Sequence, residues 1–120
     1  MEPGSLNCVI AFIQPFQLDG VVDALRRLPF FPGMSVSEVQ GFGAHRAHPP
    51  RAGDETEVHA FKKKVRIEIF CRPTEAVVIV EAIRAAAHTG NPGDGKIFVG
   101  PVTLAQRVRT GEWGEAALRP

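Results

Sequence analysis

The densest cluster of chemically useful residues in the chain is "GNPGDGKIFVG", Gly90 to Gly100. Gly90, Gly95 and Lys96 satisfy the G-x-x-x-x-G-K spacing of a phosphate-binding P-loop, but Ile97 stands where the magnesium-holding Ser or Thr belongs. The order of elements is also reversed: a P-loop follows a strand and opens a helix, whereas here a helical pattern comes first and "KIFVG" reads as a strand. A loop of Gly93, Asp94 and Gly95 can still turn backbone N–H groups toward an anion, with Lys96 adding a point charge, which is a phosphate nest without P-loop topology. A plain helix-to-strand turn with a solvated lysine fits the same letters.

Four other groups carry chemistry. "RVRTGE" places Arg107 and Arg109 at alternating positions, an arginine pair able to face polyphosphate or a solvated edge that discourages strand pairing. "GFG", Gly41 to Gly43, sets an aromatic between two small residues, suited to a flat ligand close to the backbone or to a bend. Lys62, Lys63, Lys64 and Arg66 form a basic run that serves as a solvated face or an anion contact. His45, His48 and His59, with Asp54, Glu55 and Glu57, offer metal-ligand types, although loop histidines are more often exposed titrating groups. No Ser-His-Asp or Cys-His arrangement is supported by the spacing, so no catalytic residue is assigned and no enzyme is expected.

The elements that must position these groups follow from periodicity. Leu6 to Ile13 alternates with apolar residues on both sides and reads as a strand buried on both faces. "LDGVVDALRRL" has helical spacing, with Asp19 favouring its N-terminus. "MSVSEVQGFG" and "KVRIEIFCR" alternate as strands two and three, Val65, Ile67, Ile69 and Cys71 opposing Arg66, Glu68 and Phe70. Pro73 and Thr74 are expected to start and cap a helix over Glu75 to His88, where His88 suits the C-terminal dipole, and Gly90 stops it. "KIFVGPV" is a fourth strand and "LAQRVR" a short fifth.

The order β-α-β-β-α-β predicts an α+β ferredoxin-like fold in one domain over residues 1–120, with both helices on one face of an antiparallel sheet. The interruption between strands two and three, residues 44–63, is far longer than the usual connection of roughly 4–6 residues and points to function or disorder. A tail is expected over about residues 110–120.

Composition excludes several classes. With 120 residues, 44% hydrophobic, the chain suits one core, and a net charge of +1 argues against nucleic acid as a partner. No apolar run nears the roughly 20 residues of a membrane span. Cys8 and Cys71 sit in apolar runs and read as core thiols in a reducing cytoplasm, without a disulfide.

Taken together, "IQPFQLDGVVDAL", "GMSVSEVQGFG", "KVRIEI", "TGNPGDGKIFV" and "RVRTGE" resemble the PII nitrogen-regulatory signal transducers at matching spacing from Ile13 to Glu112. The resemblance implies a homotrimer of ferredoxin-like subunits that binds ATP or ADP, with AMP a third candidate, between neighbours. It also implies a loop, the T-loop, that docks on a transporter, enzyme or regulator. By position, Gly41, Phe42 and Gly43 would line the nucleotide and Gly93, Asp94, Gly95 and Lys96 would hold phosphates. Arg107 and Arg109 would come from the adjacent subunit. Gly33, Met34, Ser35 and Glu68 would frame adenine and ribose across the interface, and Lys64 would contact the terminal phosphate or 2-oxoglutarate.

Three departures follow. The chain has no tyrosine, so uridylylation of a loop tyrosine is excluded; Glu57 takes that place. "GFGAHRAH" replaces "GFGRQKGH", so an arginine becomes Ala44 and a magnesium-holding glutamine becomes His45. Magnesium-dependent 2-oxoglutarate capture is expected to be weak, leaving a nucleotide or another small anion, such as bicarbonate, as effector. The alternative is a trimeric metal-binding protein of the divalent-cation tolerance type, which shares the architecture.

Overall fold

The computed structural model describes residues 5–42 and 61–119. The alternating runs become β1 (Leu6–Ile13), β2 (Ser35–Gly41), β3 (Lys62–Cys71) and β4 (Gly95–Val102), joined in one sheet of order β2-β3-β1-β4. All three pairings are antiparallel, with Val9 opposite both Ile69 and Val99 and Val36 opposite Ile67. The helical runs become α1 (Leu18–Arg26) and α2 (Pro73–Ala87). This is the ferredoxin-like α+β fold.

Both helices pack on the same face of the sheet. Val21 and Leu25 of α1 and Ile79 and Ile83 of α2 join Val9, Ala11, Ile13, Val65, Ile67, Ile69 and Cys71 in one buried cluster. Each large aliphatic side chain fully buried there contributes about 1.5–3 kcal/mol. Burial also pushes the Cys71 thiol up to about 11, so it is an inert core group; Cys8 and Cys71 are both free.

Four expectations need correction. The cap of α2 is Arg72, not Thr74: Arg72 has extended φ and ψ, Pro73 occupies the first turn where its missing N–H costs nothing, and Glu75 Oε1 accepts the Arg72 backbone N–H at 2.9 Å. β2 stops at Gly41 and β3 starts at Lys62, so Lys62 and Lys63 belong to the sheet rather than to the loop between them. "LAQRVR" is not a strand. The chain turns back at Gly111 (φ 75°), where Gly111 N–H bonds to Arg107 O and Arg107 N–H to Glu112 O, leaving one isolated bridge, Gln106 to Trp113, before a 3-10 turn at Gly114–Leu118.

The fourth correction concerns β1, which is not buried on both faces within one chain. Val9, Ala11 and Ile13 are buried under the helices, while Cys8, Ile10 and Phe12 are only half-covered. Their neighbours Phe70 and Phe98 are 43% and 55% exposed, so the helix-free face presents an apolar strip to solvent. Leu6 has the same parity yet is buried, and the C-terminal segment reaches that end of the sheet: Glu115 Oε1 lies 3.2 Å from Arg72 Nε.

Candidate functional site

At the opposite end of that face, β1 finishes, β4 begins, and β2 and β3 form the two legs of the long loop. The register continues Ile13–Gly95 and Ile13–Val65 by one step, bringing Gln14, Lys64 and the Gly93 turn together. Gly93 O accepts Gln14 Nε2 at 2.8 Å and Lys64 Nζ at 2.5 Å. Burial, and after it the nearby Lys62 charge, hold the Lys64 ammonium below its ordinary lysine value.

These residues border a cleft of about 610 Å³. Its lining combines the cations Lys62, Lys64 and Lys96 and the Gly93 and Gly95 backbone with the apolar Phe12, Phe98, Val39 and Phe42, Phe12 lying opposite Lys96 across the β1–β4 ladder. Phe12 and Phe98 meet edge to face with ring centroids 6.4 Å apart, and Phe42 contacts Phe61 across the loop legs at 5.4 Å.

The Gly93–Lys96 turn needs its glycines. Gly93 has φ 94° and Gly95 φ 121°, and a Cβ on Gly95 would stand 1.8 Å from Phe12 O. Only glycine lets β4 start this close to β1. Asp94 is committed to the turn rather than aimed into the cleft: its carboxylate accepts Thr89 N–H at 2.7 Å, Gly90 N–H at 2.9 Å and the Thr89 hydroxyl. Those bonds, the Thr89 hydroxyl first, hold its carboxyl below the usual value. His88, at the end of α2 as expected, has Nδ1 3.7 Å from Asp94 Oδ2.

The fourteen sequence-derived site residues therefore divide. Gly41, Phe42, Lys64, Gly93, Gly95 and Lys96 border the cleft, with Asp94 shaping it. Gly43 lies outside the described residues, as do Ala44, His45, His48, Glu57 and His59. Ser35 and Glu68 pair with each other four residues along the strands from Val39 and Lys64, about 13 Å away at the usual rise. Gly33 (φ 91°) precedes them, Met34 packs against the helix-side core, and Glu68 accepts Arg66 at 2.8 Å.

Arg107 and Arg109 are farther still. β4 carries the chain from Gly95 to Val102, about 23 Å, before the turn that holds them. Sequence reasoning passed over Gln14, Phe12 and Phe98. The signal for Gln14 was its place just before Pro15 at the end of a buried strand, where a polar side chain can reach across the sheet's edge.

Comparison with known proteins fits this geometry. The family model for Nitrogen regulatory protein P-II matches residues 6–112. The chain is 43% identical to the Nitrogen regulatory protein P-II of Azospirillum brasilense over 108 residues, 90% of this chain and 96% of that protein. It is 44% identical to that of Cereibacter sphaeroides over the same shares. The crystal structure of Arabidopsis thaliana PII bound to citrate superimposes with a TM-score of 0.74 at 35% identity, covering 95% of this chain and 92% of that one. Against the divalent-cation tolerance alternative, the match over residues 6–112 decides. With a sheet whose one face is free of helices, the glycine-built turn and Lys64 at the root of the loop, the chain belongs to the nitrogen regulatory protein P-II family of signal transducers.

Proposed function

We propose that this signal transducer binds adenine nucleotides, ATP, ADP or AMP, in the cleft between β2, β3 and the Gly93–Lys96 turn, and reports them through the loop that joins β2 to β3, residues 42–61. The observation that carries the reading is the polarity of the cleft, cationic at Lys62, Lys64 and Lys96 and aromatic at Phe12 and Phe98. Phosphates suit the lysines and a flat base the aromatic rings beside them. Lys64 Nζ is bonded to a neutral carbonyl, a partner that a phosphate oxygen outcompetes because both partners would then be charged.

A single copy leaves this site incomplete. Gly33, Met34, Ser35, Glu68, Arg107 and Arg109 serve the same ligand only if a neighbouring copy brings them across the interface, and the exposed strip at Ile10, Phe12, Phe70 and Phe98 is a surface for such a neighbour. A homotrimer arranged in this way places three clefts between subunits. A transporter, enzyme or regulator docks on the loop, and a small anion drawn to Lys64 is a second effector, the Arabidopsis relative having been solved with the anion citrate. Two free thiols and no helix long and apolar enough to cross a membrane among the described residues suit a cytoplasmic regulator.

Calorimetry with ATP, ADP, AMP, 2-oxoglutarate and bicarbonate, alongside light scattering, tests this. We expect at least one adenine nucleotide to bind near micromolar Kd, about −8 kcal/mol, to a species of three chains. No heat from any nucleotide at millimolar concentration, or a monomer at micromolar protein, overturns it.

A further inference from the structure

Arg107 is already occupied by anions and carbonyls of its own chain. Its Nη1 donates to Glu112 Oε1 at 3.1 Å and its Nη2 to the backbone carbonyl of Arg119 at 3.1 Å, with the side chain only 16% exposed. The second Glu112 oxygen pairs with Arg119 Nη2 at 3.4 Å, so one carboxylate ties Arg107 to the C-terminal residues. The backbone sets this up independently. Arg107 N–H bonds Glu112 O at 2.9 Å, Gly111 N–H bonds Arg107 O at 2.8 Å, and Gln106 Nε2 bonds Gly111 O at 3.0 Å. Hydrogen bonds from the Thr110 hydroxyl, and after it Arg107, hold the Glu112 carboxyl below its ordinary value, so it is charged at neutral pH.

A guanidinium recognises carboxylate and phosphate with the same planar fork. We infer that Glu112 and the C-terminal carbonyl at Arg119 are a built-in competitor for the fork of Arg107. A ligand phosphate reaching Arg107 from the neighbouring cleft must displace them. Glu112 therefore sets how much phosphate charge the site demands, and taking up a di- or triphosphate releases the segment from Gly114 to Leu118. This rests on the proposed function, in which Arg107 meets the phosphates of a nucleotide held by another copy.

The chemistry gives the competition a direction. Carboxylate and polyphosphate are rivals for the same two N–H edges, and replacing the charged acceptor by an amide of the same shape weakens only the internal rival. Arg109, exposed near the tip of the turn, has no comparable engagement with Glu112. The only tryptophan, Trp113, directly follows Glu112 and bridges Gln106, so it reports this turn without an added probe.

The test is calorimetry with ATP, ADP and AMP on the full-length assembly, wild type against Glu112→Gln, with Trp113 emission and amide exchange of residues 114–118 recorded before and after nucleotide. We expect E112Q to bind ATP and ADP about fivefold more tightly, the difference between a charged and a neutral hydrogen bond. AMP should be unchanged, and ligand-free E112Q should already show the Trp113 emission and faster exchange that wild type gains only with ATP. In the double variant E112Q with Arg107→Ala the gain should vanish. If wild type takes up no nucleotide, the functional reading fails and this inference with it. If wild type binds but E112Q binds ATP and ADP equally well or more weakly, or shifts all three nucleotides alike, the inference alone fails, and weaker binding makes Glu112 a residue that positions Arg107.

Discussion

Replacing Gly95 by alanine should damage the fold and the cleft together. The new Cβ would sit 1.8 Å from Phe12 O and 2.9 Å from Phe12 C, at a φ of 121° that side-chain-bearing residues rarely adopt. The obstructing atoms are backbone of β1, and Gly95 pairs with Ile13, so relief requires opening the β1–β4 ladder at its first rung. Backbone strain of about 1–3 kcal/mol and a similar displacement cost of about 1–3 kcal/mol place the loss near 4 kcal/mol. Unfolding entropy of roughly 2.1 cal/mol/K per residue gives about 0.25 kcal/mol/K for a chain of this length, so the melting temperature should fall by roughly 16 °C. Two further glycines calibrate the scale. At Gly93 (φ 94°) a Cβ meets only the flexible ends of Gln14, at 3.1 Å, and Lys64, at 3.7 Å, so Gly93→Ala should cost about 1–2 kcal/mol. Gly20, inside α1 with nothing within 4 Å, should gain about 0.5–1 kcal/mol as alanine. Thermal melts at one protein concentration, which holds assembly constant, decide the matter. A Gly95→Ala melt within about 4 °C of wild type, or a larger loss from Gly93→Ala than from Gly95→Ala, refutes the steric argument.

Lys64→Met should weaken nucleotide affinity by about tenfold or more, the loss of a charged hydrogen bond, while Gln14→Leu, which removes a neutral donor to the same carbonyl, costs less; equal losses by calorimetry would contradict the assignment. Asp94→Asn should expose the Thr89 and Gly90 amides to exchange at neutral pH. The wild-type carboxyl lies below its ordinary 3.8, so its contribution is fully present above that value and is lost only as pH falls through the lower folded value. Protection of those two amides that already fades between pH 7 and 5 in wild type would refute this.

The fold was legible because its signals are local and repeated. Alternation in "KVRIEIF" assigns Ile67 and Ile69 to the buried face without any knowledge of their partners. The three-to-four spacing of Val77, Val80, Ile83 and Ala87 marks α2 as a helix but misplaces part of its inner face, since the buried stripe is Ala76, Ile79, Ile83 and Ala87 and Val77 is 70% exposed. What failed was context. The strand read into "LAQRVR" has the right alternation, but β strands need a ladder, and the turn at Gly111 pairs the segment with itself. Thr74 is a good capping type, yet Pro73 fits the first helical position best, which moves the cap back to Arg72. The site was legible as residue types and not as contacts. Asp94 reads as a phosphate-loop residue, but its side chain is spent on Thr89 and Gly90, and nothing in the spacing says so. Gln14 lies 79 positions from the carbonyl it holds, a separation that periodicity cannot span.

The position of the cleft also bears on how a signal could leave it. Gly41 and Phe42 finish one leg of the loop and Lys62 and Lys64 begin the other, and all four border the cleft. Phe42 and Phe61 join the legs by a ring contact at 5.4 Å. A ligand touching Lys64 and Phe42 thus acts on the loop's two anchors directly, and no relay through the core is required. Coupling still needs different interaction free energies in the two loop states. Lys64 supplies one source: bonded to Gly93 O it ties a loop leg to the turn, and bonded to a phosphate it releases that carbonyl to Gln14 alone. On the proposed nucleotide reading, this exchange requires a phosphate that reaches Lys64 Nζ. On that reading the state of the loop follows from one ammonium group choosing between two acceptors, Gly93 O and a phosphate.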